Sequence, residues 1–143
     1  MRLLWIIPIF LTACASLNEV APASSDARPS LAVRTLEVGS CGLFVWKADA
    51  SKAFTLFASE TDMAVLQNGA EVPLTANGSI SDVRSLSFTD SRGHPVKLQL
   101  ADEQKIDGGA RYKSGSLVMV TDEGWEQYTS VVGFYTCQVF KPT

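Results

Sequence analysis

Histidine is nearly missing from this chain of 143 residues, with His94 the only one. A metal centre built on several imidazoles is therefore excluded, and no Cys-x-x-Cys pair supplies sulfur in its place, so neither a metal nor another cofactor is expected. Clustered cations are missing too. Lys and Arg never occur three in a row and the formal charge is −3, which argues against nucleic acid and against an anionic membrane surface as electrostatic partners. No Gly-x-Ser-x-Gly elbow and no Gly-x-x-x-x-Gly-Lys loop is present, so neither an activated serine nor a phosphate cradle can be placed. No long helical period appears. Long apolar runs are also lacking. The best candidate, Leu3 to Leu11, is broken by Pro8, and as a helix Arg2 to Ala13 would reach only about 18 Å against a hydrocarbon core of about 30 Å.

What that short run does have is order. One basic residue, Arg2, precedes it, and Leu11-Thr12-Ala13-Cys14 closes it, which is the layout of a secretion signal. The four residues resemble the lipobox of bacterial lipoproteins, with Leu11 where an ordinary signal peptidase would want a small residue. The resemblance implies cleavage before Cys14, fatty acylation of Cys14, and an envelope location. Ala15 follows, where Asp would resemble an inner-membrane retention signal, and this favours the outer membrane, facing the periplasm. Loss of Arg2 with residues 1–13 takes the charge to −4.

With 46% apolar and 19% charged residues, the remainder suits one packed domain and leaves no room for a second. From Ala15 to about Ala32 the chain is rich in Ala, Ser and Pro, which reads as a loose tether over 14–32 carrying a domain over 33–143. Of the three cysteines, Cys14 belongs to the anchor, and Cys41 and Cys137 form an even pair in a compartment where disulfides persist. A bridge closing a loop of about 100 residues would contribute up to about 4.7 kcal/mol in the chain-entropy picture and would staple first strand to last.

Short apolar segments broken by turn signals roughly every ten residues predict an all-β fold. Val33–Val38 reads as a lead-in strand, Gly42–Lys47 as a strand apolar on both faces, and Ala53–Ala58 as its antiparallel partner. Asn68-Gly69 between Met63–Gln67 and Ala70–Leu74 is a strong hairpin signal, and Pro73, which cannot donate to a ladder, suggests an edge strand. Thr75–Val83 reads as a polar loop. Leu86 and Phe88, then Val96, Leu98 and Leu100, alternate with polar residues and make a second hairpin with one wet face. Ala101–Gly109 reads as a charged connection leading to Ser116–Thr121, then Trp125–Thr129, and a last strand over Gly133–Val139. About eight strands joined by short turns predict a small antiparallel up-and-down barrel or a strongly curled sheet.

Candidate chemistry is sparse. Cys41 or Cys137 with His94 could in principle make a cysteine hydrolase acting on envelope polymers, but a structural disulfide beside a turn histidine accounts for the same residues. Asp102 with Glu103, and Asp122 with Glu123, lie at turn signals, where acidic residues solvate the chain. Trp46, Tyr112, Trp125 and Tyr128 carry large apolar area with a polar tip and could offer a binding face, core filling being the commoner role for Trp46 and Trp125.

Gly108-Gly109-Ala110-Arg111-Tyr112 is similar to the Ser-Gly-x-x-Tyr loop of the membrane-bound inhibitors of c-type lysozyme, which share a lipobox, a barrel of about eight strands and a disulfide from first strand to last. Gly108 stands where that family has its loop serine, and the later Trp-x-Lys-Gly signature is not evident in Leu117 to Gly124. The resemblance implies inhibition of lysozyme, with Arg111 and Tyr112 as contacts. Trp125 is the third residue offered for binding. The expected function is thus a non-enzymatic lipoprotein domain that binds or scaffolds a protein or peptidoglycan ligand, with lysozyme inhibition as its specific alternative.

Overall fold

The computed structural model describes residues 30–80 and 82–138. Cys14, the expected secretion signal and most of the expected tether lie outside the described residues. Eight strands follow in chain order: β1 (Cys41–Lys47), β2 (Phe54–Ser59), β3 (Met63–Gln67), β4 (Ala70–Ala76), β5 (Ser85–Asp90), β6 (Pro95–Ile106), β7 (Gly109–Val120) and β8 (Glu126–Cys137). Each pairs antiparallel with its neighbour, and β8 returns to pair with β1, so the sheet is a closed barrel. No helix occurs among the described residues.

Period-two alternation explains the interior. Leu43 and Val45 of β1, Leu56 of β2, Leu98 of β6 and Leu117 of β7 all point inward and are buried with Phe88. An eight-stranded barrel is just wide enough for side chains to fill, and here they fill it. Cys41 and Cys137 are direct partners in the β1–β8 ladder and are joined as a disulfide across a sequence separation of 96. The last strand is thereby bonded to the first.

A second apolar cluster sits on the outside. Leu31, Phe57, Ala64 and Leu66 are buried there, with Leu36, Phe44 and Phe54 packed against them. The register shift between Val45 and Trp46 makes it possible, because Val45 faces Leu56 while Trp46 faces Phe54, leaving Thr55 as an extra residue. That bulge reverses the phase of β2, so Phe54 and Phe57, three apart, both meet Phe44 on the outer face. Thr55, wholly buried, donates its hydroxyl to the Ala53 carbonyl at 2.8 Å.

The chain before β1 covers this cluster. The Leu31 N–H donates to the Phe54 carbonyl at 2.9 Å, and the Leu31 side chain is only 5% exposed. Arg34 pairs with Asp62 at 2.8 Å and with Glu71, pinning the segment across β3 and β4. The stretch read as a tether to residue 32 therefore ends inside the packed domain. Val33–Val38 is not a strand: β1, β2 and β3 each already have two neighbours, so no ladder edge is free, and the segment lies over the sheet with Val33 and Val38 exposed.

Other differences have equally local causes. Pro73 is not on an edge strand, since the barrel has none. It faces Ala64 of β3, and the β4–β5 register begins only at Leu74, so its missing N–H falls where β4 has not yet met β5. Thr75 and Ala76 belong to β4, and Val83, further along the same loop, turns inward and is buried in the core. Ala101–Ile106 continues β6, and the turn is only Asp107-Gly108, with Gly108 at φ +81°. Asp102, at φ +56°, interrupts the alternation, after which Glu103 pairs with Tyr112. The two segments predicted near the end are one strand, β8. Asn68 and Gly69 both adopt positive φ in the β3–β4 hairpin, as their types favour.

Two stability measurements follow. Cys41→Ser with Cys137→Ser should lower unfolding free energy in urea by about 2–5 kcal/mol, as expected for releasing so long a loop. Leu31→Ala should cost about 2 kcal/mol or more, whereas a free tether residue would give no measurable change.

Candidate functional site

Two concave regions use the residues singled out in the sequence. One is an open cleft of about 680 Å³ at the mouth of the barrel, lined by Asp82, Arg84, Glu103, Lys105, Tyr112 and Tyr135 among others. The other runs along the outer face of β1, β8 and β7 as two adjoining hollows of about 500 and 410 Å³ that share Trp46, Arg111 and Val132.

At the mouth Arg84 and Asp82 satisfy one another, while Lys105 has no carboxylate within salt-bridge distance among the described residues. Arg84 lies 3.3 Å from Asp82, and Asp82 also accepts the Arg84 backbone N–H at 3.1 Å. That backbone bond, then the guanidinium, holds the Asp82 carboxyl below its ordinary range. The Tyr112 hydroxyl donates to Glu103 at 3.2 Å, and burial, reinforced by the Glu103 charge, pushes the phenol above its ordinary value. The Tyr112 ring is part of the barrel core and only 2% exposed.

The outer groove is different in kind. Val132 and Phe134 point outward because Val131 and Gly133, between and beside them, point in, Gly133 being the position where a Cβ would press on Leu100. Val132 pairs with Trp46 on one side, and Phe134 pairs with Phe44 on that side and Arg111 on the other. Trp46 is held by Phe44, stacked at 6.1 Å, and by Phe54 at 5.6 Å. Lys113, Lys47 and Lys52 also line it, together with Tyr112, Gly133 and Ala48. None of these four cations has a carboxylate within salt-bridge distance among the described residues, although seven other ionised groups do pair elsewhere on the barrel. Asp49, the acid that the field of Lys47 reaches, is engaged with Ser51 through that residue's backbone N–H at 2.9 Å and its hydroxyl.

Arg111 and Tyr112 are thus separated by the sheet: Arg111 is exposed on the outer face, and Tyr112 is inside. The two contacts that the lysozyme-inhibitor resemblance implies therefore lie on opposite faces of β7, with Tyr112 at the mouth cleft and Arg111 on the outer wall. Trp125 is 70% exposed in the turn before β8, where its backbone N–H donates to the Thr121 hydroxyl at 3.1 Å. It sits at the other end of β7 from Arg111, about 30 Å away at about 3.3 Å per residue. Nearby, Tyr128 is also exposed and donates to Glu126 at 2.8 Å. His94 lies beside buried Asp90, with Nδ1 3.9 Å from Oδ2, and neither atom has a hydrogen-bond partner. Cys41 and Cys137 spend both sulfurs on each other, which leaves no thiol for His94 to activate in this form. Trp46 was read mainly as core, yet it is partly buried on the outer face. Lys47, Lys52, Lys113, Val132 and Phe134 carry no motif and are brought together only by strand register.

No protein-family model, no curated protein and no solved structure significantly matches this chain. Fold and site geometry therefore define it as a small closed antiparallel barrel with a cationic, aromatic groove on its outer wall.

The raised Tyr112 phenol gives a pH dependence with a definite sign. Above about pH 10 the unfolded chain releases this proton while the native barrel retains it, so the stability it contributes is intact below pH 10 and lost as pH rises through the native value. Tyr112→Phe should remove one late-titrating phenol from an ultraviolet difference titration and reduce the alkaline loss of stability.

Proposed function

We propose that this protein is a non-enzymatic binding module of the bacterial cell envelope, anchored by acylated Cys14 to the outer membrane on its periplasmic side, and that the groove around Trp46 and Val132 is its ligand surface. The observation that carries the binding role is the combination of an apolar floor with four lining cations that make no salt bridge among the described residues, on a chain whose net charge is −3. An aromatic floor left open between cations is suited to a ligand that is both apolar and anionic. The anchor is supported by the order of Arg2, the apolar run and Leu11-Thr12-Ala13-Cys14.

The lysozyme-inhibitor reading would use both faces of β7, Arg111 on the outer wall and Tyr112 at the mouth cleft, whereas a cell-wall ligand needs the outer groove alone and is the reading we prefer.

Two measurements test the proposal. In a bacterial host, Cys14→Ala should abolish palmitate incorporation and leave the chain as an unprocessed precursor that still carries residues 1–13, since Leu11 does not suit an ordinary signal peptidase. Purified soluble full chain should co-sediment with isolated cell-wall sacculi, and Trp46→Ala should reduce the bound fraction by about tenfold, in line with losing one large stacked aromatic. Retention unchanged by Trp46→Ala would remove the groove from the function.

A further inference from the structure

Resting on that reading of the groove, we infer that its ligand is a carboxylate-bearing saccharide chain. The floor is made of side chains that offer almost no hydrogen bonds: Val132, Phe134 and the ring of Trp46. The rims are cationic, with Arg111 and Lys113 from β7 on one side and Lys47 and Lys52, at and beyond the end of β1, on the other. β8 lies between, so the rims stand two strand spacings apart, about 10 Å. A sugar ring lying face-down there rests its C–H face on the floor and extends its equatorial groups to either rim. The two hollows adjoin through Trp46, Arg111 and Val132, so a ligand filling both is a chain of rings rather than one.

Charge chooses among saccharides. Arg111 presents a guanidinium fork that suits a carboxylate, and among the described residues the cation held over an aromatic ring is Arg34 over Phe57 rather than Arg111 over Trp46. Both Arg111 and the Trp46 face therefore remain available. Trp46 is fixed in advance by Phe44 and Phe54, which lowers the ordering cost of binding.

The same features disfavour other anions. An extended peptide gains most from adding a strand to a sheet edge, and this barrel has none. Laid over the apolar floor, its backbone groups would lose water without partners. A membrane surface is met by protruding aromatics, whereas Trp46 is partly buried among its neighbours. A nucleic acid calls for a denser run of cations than four on a net-acidic chain.

The test uses residues 15–143, which lack the leader and the acylated cysteine and keep all eight strands, titrated calorimetrically with tetragalacturonate, with neutral chitotetraose, with oligothymidylate and with phosphatidylglycerol vesicles. Saturable binding of tetragalacturonate is expected, at least about tenfold tighter than of chitotetraose, weakening as salt rises. Arg111→Gln with Lys113→Gln, both exposed and without effect on the core, should weaken it about tenfold or more, and the indole N–H resonance of Trp46 should shift on binding. Equal affinity for the neutral oligomer, affinity unchanged in the double variant, or tighter binding to vesicles or oligothymidylate would each overturn the inference. If tetragalacturonate fails to bind while Trp46→Ala still loses sacculus retention, the saccharide class falls and the binding module stands. If Trp46→Ala changes neither, both fall together.

Discussion

Closure of the sheet between β1 and β8 is the constraint on which the rest of this structure depends. Once those strands pair, no ladder edge is left to protect, and the inward alternation of every strand is committed to one filled interior. The Cys41–Cys137 bridge sits within that seam and removes the freedom of the ends to part. It also fixes a register. Counting five residues inward from each cysteine sets Trp46 opposite Val132, and three inward sets Phe44 opposite Phe134. The floor of the outer groove is thus a direct consequence of where the two cysteines stand in the sequence.

Closure alone would give a barrel with a wet outer wall, and β2 and β3 do not have one. Their outer apolar residues are covered by the segment from Ser30 to Leu36, which cannot join the sheet as a strand because the sheet offers no edge. It binds instead through one backbone hydrogen bond at Phe54, the burial of Leu31 and the two carboxylates around Arg34. Gly42 is part of the same arrangement: a Cβ there would lie 2.6 Å from Leu36 and 3.1 Å from Phe57, so only glycine lets both reach the wall of β1. The cover stops at Phe44 and Phe54. Beyond them Trp46, Val132 and Phe134 continue the apolar surface without a lid, and the cations begin.

Much of the fold was legible in the sequence because period-two alternation and turn chemistry are local. Asn68-Gly69, the alternation through Leu86 and Leu100, and the even pair of cysteines each point to the element or bond that is found. Ala101–Ile106 was misread because this stretch has no inward apolar row. It forms the polar rim of the barrel mouth, where neither face is packed and Asp102 breaks the phase. Val33–Val38 was misread for the opposite reason: its composition suits a strand, and only the absence of a free edge forbids one. The candidate site was less legible. Arg111 was singled out and does line the groove, but with Tyr112, whose side chain belongs to the other face. Trp46 was noticed and assigned to the core, since nothing local distinguishes an inner from an outer aromatic on a strand apolar on both sides. The lysines around it are isolated in sequence, separated by up to 66 positions between Lys47 and Lys113, and become a cluster only through the β1–β8–β7 order.

The small size of the barrel decides where any ligand must go. With Phe88, Leu98 and Tyr112 filling the interior, a bound molecule cannot enter as it does in wider barrels, and the cleft at the mouth is floored by Val83 and Tyr112 and flanked by the Arg84–Asp82 pair and the Tyr112–Glu103 bond. Opening the mouth would break the Arg84–Asp82 and Tyr112–Glu103 contacts and expose a core that is the main source of stability. Binding on the outer wall requires no such change, because Val132 and Phe134 are outward-facing members of a strand whose inner face is packed, and Trp46 is held by two other rings. The interior and the outer wall are therefore divided in their tasks along a single strand: Val131 and Gly133 of β8 complete the core, and Val132 and Phe134 between and beside them form the surface that remains free to meet something else.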